Sequence, residues 1–141
     1  MNMQTGTFPE IESNQVDVEF LQSFSDAWNN HDIEALMGFI TDDCVFHTVA
    51  GDGVLGNTIA GREAVRKSFE LVWQNFPDAA WSDPSHFVCG DRAVSESTFS
   101  ATNPDGGVIE ARMVDVFTLK DGKISVKNAF RKTRPVIAAR A

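Results

Sequence analysis

Asp115 is a carboxylate in a row of apolar side chains, and it has the clearest chemical potential in the sequence. Alternation along a strand over 108–120 puts it on one face with Met113 and Phe117. A carboxylate in such a row needs a compensating partner, or burial favours its protonated form. Two interpretations follow. Asp115 is either held by a salt bridge to a Lys or Arg of a neighbouring strand, or it is a pocket acid that exchanges a proton with a substrate.

His47 is the second candidate, and it is followed directly by Thr48 in a short predicted strand. Alternation sends these two side chains to opposite faces, and both faces have apolar neighbours, so either one fits an inward position. If His47 faces inward, His47 and Asp115 predict a base and an acid that work near neutral pH. A histidine satisfied within the core or at an interface is the alternative. His86, on a predicted edge strand, is a weaker candidate.

Metal and cofactor sites are not predicted. Cys44 and Cys89 lie in apolar runs without metal-ligand spacing, which predicts buried free thiols. The glycine-rich segment 51–61 lacks the lysine of a phosphate-binding loop, which favours a flexible pocket rim. We therefore expect neither a metal nor a cofactor.

The charge balance of the chain argues against two classes of partner. The formal charge is −8, from 12 Lys and Arg against 20 Asp and Glu, which disfavours general binding to nucleic acid or anionic membranes. The N-terminus has no apolar leader and no run is long enough to span a membrane, which predicts a cytoplasmic protein. Basic residues gather after position 120. They predict either a solvated cationic surface or an anion-binding site.

The order of predicted elements indicates an α+β fold. Apolar residues recur at helical spacing over 16–30, again after a cap at Asp32, and over 62–76. Strands are predicted over 79–89, 92–102, 108–120 and 123–131, with hairpin signals between the last three. We expect one domain over 15–132, preceded by a flexible arm over 1–14 and followed by a tail over 133–141.

The motifs of this span resemble the SnoaL-like branch of the NTF2-like superfamily, which includes ketosteroid isomerases and polyketide cyclases. They are Ala27-Trp-Asn-Asn-His-Asp32, Thr41-Asp-Asp-Cys-Val-Phe46, Ala60-Gly-Arg-Glu-Ala-Val65, Phe76-Pro-Asp78 and Val114-Asp-Val-Phe-Thr-Leu-Lys-Asp-Gly-Lys-Ile124. The resemblance implies a cone of three N-terminal helices on a curved, mostly antiparallel sheet. It also implies a homodimer, and Val114 and Val116 suggest a covered second sheet face.

The resemblance places Asp115 at the protonated acid of the ketosteroid isomerase oxyanion hole. Phe24 stands where that family has its oxyanion-hole Tyr, and Thr48 stands at its general base, so steroid isomerisation is not expected. The acid–base set of the limonene epoxide hydrolase branch also fails to match, at Ser97, Phe99 and Asn128. The implied pocket wall comprises Phe24, Trp28, Thr48, Phe69, Trp73, Met113, Phe117 and Asn128.

Together these observations predict a cofactor-independent isomerase, cyclase or dehydratase that acts on a hydrophobic carbonyl compound. Asp115 and His47 are the expected catalytic residues. The alternative is a binding module of the same fold that holds a small molecule without catalysis, since the usual Tyr and base Asp are missing. An adaptor for other proteins is a third possibility, and it would not need a deep apolar cavity.

Overall fold

The computed structural model describes residues 16–138. The predicted arm over 1–14 and the last residues of the predicted tail, 139–141, lie outside this range. Three helices and six strands follow in the order α1 Val18–Asn29, α2 Ile33–Gly38, β1 Ile40–His47, β2 Thr58–Ala60, α3 Arg62–Asn75, β3 Ala80–Cys89, β4 Arg92–Thr102, β5 Val108–Lys120 and β6 Lys123–Arg131.

The first two helices begin where the sequence supplies a capping side chain. The side chain of Asp17 accepts a hydrogen bond from the backbone N–H of Phe20 at 2.8 Å, and Asp32 accepts one from Ala35 at 3.1 Å. Each satisfies an N–H that a helix N-terminus leaves without a partner. The inward stripe of α1 consists of the buried residues Leu21, Phe24, Ala27 and Trp28. This stripe forms one wall of the core.

The sheet has six strands in the order β2-β1-β6-β5-β4-β3. β1 and β6 are parallel, and the other neighbouring strands are antiparallel. A mixed sheet with three helices confirms the α+β class. The helices are short, and α3 follows two strands instead of completing an N-terminal run. The conical shape stays a prediction.

Two β-bulges change which side chains face the core. In β3, one extra residue lies between Ser82 and Ser85, which pair with Thr98 and Glu96. In β6, Ser125 is the extra residue, because Ile124 pairs with Leu119 whereas Val126 pairs with Thr118. Side chains alternate with a period of two, so one extra residue exchanges the two faces for every residue beyond it. β3 is an edge strand, which is where the sheet tolerates Pro84.

The segment after β6 continues beside β5. Lys132 donates its backbone N–H to the carbonyl of Arg112 at 2.9 Å, and Ile137 exchanges two backbone hydrogen bonds with Val108 at 2.8 and 2.9 Å. The described part of the predicted tail is therefore held to the sheet as far as Ile137. The predicted domain boundaries stay a prediction. Within 16–138, no helix has the length and apolar character needed to cross a membrane.

Candidate functional site

A cavity of about 390 Å³ opens between the inner face of the sheet and helices α1 and α3. Its wall is mainly aromatic and aliphatic, as is usual for small-molecule sites. The titratable side chains on the wall are few: they are His86, Asp115, Lys127 and Arg131. The cavity is thus an apolar space with charge at defined points.

Asp115 and Lys127 form an ion pair on the cavity wall. The Lys127 Nζ lies 3.1 Å from Asp115 Oδ1, and the side chains are 8% and 14% exposed for Lys127 and Asp115 respectively. The contact lacks hydrogen-bond geometry, and Oδ1 has no hydrogen-bond partner among residues 16–138. Each charge compensates the other, yet one carboxylate oxygen keeps its capacity to accept a hydrogen bond. The prediction of a salt bridge from a neighbouring strand is confirmed.

Three aromatic rings surround the Lys127 ammonium. Its Nζ lies 4.5 Å from the centroid of Phe46, 5.3 Å from Trp28 and 5.9 Å from Phe69. Ring faces attract cations, and this attraction grows when water is excluded. These ring contacts therefore help to offset the burial of the Lys127 ammonium among apolar side chains. Trp28 Nε1 is also buried without a hydrogen-bond partner in the described chain.

A row of polar side chains crosses the inner face of the sheet beside this pair. His86 of β3 lies opposite Ser95 of β4, and Ser95 lies opposite Asp115 of β5. Directly opposed side chains on one face are about 4.5–5.5 Å apart at Cβ. The bulge in β3 turns His86 toward the cavity, since Trp81 before the bulge also lines it. The row thus brings a hydroxyl and an imidazole close to the ion pair.

Hydrogen bonds determine which nitrogen of His86 carries the proton. The Gln22 amide donates from Nε2 to Asp26 at 2.9 Å, which turns its Oε1 toward His86 Nε2, also at 2.9 Å. This oxygen only accepts, so His86 Nε2 donates and His86 Nδ1 accepts from the Ser95 hydroxyl at 2.7 Å. Burial lowers the pKa of His86, although Asp26 opposes the shift. The imidazole is therefore a neutral proton acceptor.

Arg131 supplies the second positive charge on the cavity wall. Its guanidinium lies over the ring of Phe99, 5.1 Å from the centroid. Burial lowers the pKa of Arg131. Lys127, Ala129 and Arg131 alternate along β6 and share the inner face, because the bulge at Ser125 precedes all three.

Six of the predicted site residues lie on the cavity wall, and four do not. Those on the wall are Phe24, Trp28, Thr48, Met113, Asp115 and Phe117. Phe69 is buried in the core behind Trp28, with ring centroids 4.8 Å apart, and Trp73 stacks on His31 at 5.0 Å. Asn128 is next to Lys127 and so points to the other face of β6. The expected pocket contacts of these three residues are not present.

The open question between His47 and Thr48 is answered by the structure. Thr48 lines the cavity, whereas His47 is absent from its wall and its Nδ1 contacts Thr58 Oγ1 at 2.9 Å. The glycine-rich segment packs closely against the backbone of Thr48, since a Cβ on Gly56 would lie 2.3 Å from the Thr48 carbonyl oxygen. The expected pair of His47 and Asp115 across the pocket therefore does not form, because alternation along β1 directs His47 away.

The sequence alone does not identify Lys127, Ser95 or Arg131 as site residues, and it predicts His86 only as a weaker candidate. Lys127 was hidden because alternation counted from Ile124 assigns it to the outer face, and only the bulge at Ser125 reverses that assignment. His86 was discounted as an edge-strand residue. A bulge signal was present in the sequence, since Asp83-Pro84 interrupts the strand. Ser95 carried no distinguishing signal, whereas Arg131 belongs to the basic residues after position 120, for which an anion-binding site was one of the two predictions.

The cysteines and metal ligands give a mixed outcome. Cys44 is buried and free, but Cys89 is free and exposed, so the expectation of two buried thiols is wrong for Cys89. It is the last residue of edge strand β3, where one face meets solvent. Within residues 16–138, no three His, Cys, Asp or Glu side chains are grouped to hold a metal ion. The absence of a metal and of a cofactor stays a prediction.

Comparison with known sequences decides the family. The profile of the SnoaL-like domain matches residues 21–126, a span that contains the cavity wall from Leu21 to Phe117. The chain belongs to the SnoaL-like domain family. This confirms the resemblance to the SnoaL-like branch of the NTF2-like superfamily. No curated protein sequence matches the chain.

Several solved structures share the fold at low sequence identity. A proposed polyketide cyclase from Pseudomonas putida is 17% identical, covers 81% of this chain and 90% of its own, and has a TM-score of 0.71. TerC co-crystallised with polyporic acid is 21% identical, with coverages of 82% and 90% and a TM-score of 0.69. A Catenulispora acidiphila protein of ketosteroid isomerase-like fold, in complex with trimethylamine, is 15% identical, with coverages of 82% and 86% and a TM-score of 0.69.

Proposed function

We propose that this protein is a cofactor-independent enzyme that moves a proton on an apolar carbonyl compound. The observation that carries the proposal is the buried ion pair of Asp115 and Lys127 on the wall of an apolar cavity. A small-molecule pocket is typical of the family, and two relatives were crystallised with polyporic acid or trimethylamine. The reaction class would be isomerase, cyclase or dehydratase.

The two charged groups suit the two halves of an enolisation. The Asp115 carboxylate, whose side chain is 14% exposed on the cavity wall, would take a proton from the carbon next to the carbonyl group. The Lys127 ammonium would stabilise the negative charge that develops on the carbonyl oxygen in this largely apolar space. Return of the proton to another carbon gives an isomer, and Asp115 regains its charge.

This assignment changes the role that the resemblance implies for Asp115. There the acid is protonated and donates a hydrogen bond to the substrate oxygen. Here Lys127 Nζ lies 3.1 Å from Asp115 and supplies the positive charge of the site, so we assign the binding of the oxygen to Lys127 and the acceptance of the proton to Asp115. Neutral His86, beside Ser95, is a second acceptor within the same polar row.

Deuterium exchange tests the proposal without knowledge of the natural substrate. Protein in D2O is mixed with a panel of cyclic ketones such as alpha-tetralone, and loss of the α-proton signal is followed by NMR. We expect faster exchange than in buffer, and Asp115→Asn should lower the protein-dependent rate by about 100-fold or more. His47→Gln is the matched control, because His47 lies outside the cavity. Equal rates for wild type and Asp115→Asn would remove the catalytic role.

A non-catalytic binding module is the second candidate, and two observations favour it. Asp115 already has a charged partner, and His47 faces away from the cavity. Such a module would bind members of the panel, as measured by calorimetry, with no protein-dependent exchange for any of them. The presence of a deep apolar cavity favours either candidate over a protein adaptor.

We also propose that the protein forms a homodimer through the outer face of the sheet. Phe87 and Phe130 are 56% and 50% exposed, and they line a shallow depression there with Val94 and Val114. Exposed aromatic residues in one patch are typical of protein interfaces. Val116 does not line this depression. A cytoplasmic location stays a prediction.

A further inference from the structure

Arg131 differs from the other arginines of the described chain. Each of the others donates to a carboxylate or carbonyl oxygen; they are Arg62, Arg66, Arg92, Arg112 and Arg134. The guanidinium of Arg131 has no hydrogen-bond acceptor within residues 16–138. It lies over the ring face of Phe99. Five N–H donors thus remain available beside the cavity.

The charge of the cavity wall points to an anionic ligand. Lys127 and Arg131 against Asp115 leave a net charge of +1 when His86 is neutral, although the chain carries −8. Burial lowers the pKa of Arg131, and no carboxylate counteracts that effect. Arg131 is half-buried, and a cation that is partly removed from water without a partner carries a cost that a ligand carboxylate would reduce.

We propose that Arg131 binds a carboxylate of the ligand, so that the pocket accepts apolar acids that also carry a carbonyl group. The planar guanidinium can donate two parallel hydrogen bonds to a carboxylate that lies in its plane. The ring of Phe99 lies against the face of the guanidinium. The carbonyl part of this inference rests on the proposed function. The carboxylate part rests on Arg131 alone.

The two ends of such a ligand fit the spacing of the strands. Asp115 lies opposite Ala129, and Arg131 is two residues farther along the same face of β6. Diagonal neighbours of this kind are about 7–8 Å apart. The small side chain of Ala129 leaves the space between them open. Arg131 and the exposed Val49 line both this cavity and a second, smaller one.

A matched pair of probes tests the inference. Binding of β-benzoylpropanoic acid and of its methyl ester is measured by isothermal titration calorimetry at pH 7 on wild type, Arg131→Gln and Arg131→Lys. A charge-assisted hydrogen bond of this kind gives a preference for the acid of about 10- to 100-fold. We expect Arg131→Gln to abolish that preference and Arg131→Lys to keep part of it. Lys123→Gln is the control, because Lys123 is exposed and its loss removes one positive charge outside both cavities.

The outcomes separate this inference from the proposed function. An acid preference that Arg131→Gln leaves intact, or no preference in wild type, overturns the carboxylate site. Deuterium exchange of the ester in D2O reports independently on enolisation at Asp115. Deuterium exchange without a preference for the acid would therefore support the proposed function and reject the carboxylate site. A preference for the acid without exchange would support the carboxylate site and reject the proposed function. Thermal unfolding of each variant confirms that it is folded. If Arg131→Gln does not fold, Arg131→Lys keeps the positive charge and its partial preference for the acid tests the site.

Discussion

The ammonium of Lys127 lies 3.1 Å from the carboxylate of Asp115, and the two residues come from adjacent antiparallel strands. They are not directly opposite, since Asp115 faces Ala129 and Lys127 faces Phe117. The long lysine side chain crosses this diagonal beneath the rings of Trp28 and Phe46. Each residue therefore compensates the charge of the other in the apolar wall.

Loss of one partner of this pair should destabilise the fold strongly. Lys127→Met leaves Asp115 as an uncompensated buried charge, and we expect the free energy of unfolding to fall by about 3–5 kcal/mol. The double variant Lys127→Met, Asp115→Leu should recover much of that loss because no buried charge remains. Urea unfolding measures both. The control is Lys120→Met, whose partner Asp43 is exposed, and a loss no larger than in that control would contradict the prediction.

His86 should make the protein less stable as the pH falls. Burial lowers the pKa of His86 in the folded state, so the unfolded chain binds a proton at His86 at higher pH than the native protein does. Stability then rises with pH in this window, which means that it is lost as the pH falls below about 6.5, the ordinary value for histidine. NMR titration of the His86 ring should show an inflection below that of a histidine peptide. An inflection at or above the peptide value would show that the buried network does not favour the neutral ring.

Ala129 should control access to the space between Asp115 and Arg131. Ala129 is 4% exposed and small, and Ala129→Leu would fill the cavity at this point. We expect the affinity for β-benzoylpropanoic acid to drop at least about tenfold, the loss caused by one obstructed contact of 1.4 kcal/mol. Asn128→Leu adds an apolar side chain on the opposite face and is the matched control. Similar affinities for the two variants would place the ligand elsewhere.

Phe130 should be needed for the proposed dimer. Phe130→Asp places a charge in the centre of the exposed aromatic patch, where a partner would have to desolvate it. We expect the wild type to have the mass of a dimer in light scattering at micromolar concentration, and the variant that of a monomer. Phe130→Leu should remain dimeric because the patch stays apolar. A monomeric wild type would exclude the interface at that concentration.

Local sequence signals determined most of the elements. The strands over 92–102, 108–120 and 123–131 have the predicted bounds, because turn residues precede the first strand and separate each strand from the next. Asp121 and Gly122 adopt φ of 54° and 75°, the left-handed region that aspartate tolerates and glycine favours. Asp32 was predicted to cap α2 and does so. The position of Asp115 among apolar residues followed from alternation within a single strand.

Tertiary pairing alone decided which other residues meet Asp115. Alternation is a local rule, and the bulges at Ser82–Ser85 and at Ser125 each reverse it. Lys127 and His86 therefore reach the inner face against the count from their own strands, while Asn128 leaves it. The direction of His47 likewise depended on how β1 pairs with β6, some 80 residues later in the chain. Register between distant strands has no local signature, so the sequence identified the carboxylate and only the folded sheet supplied its partner.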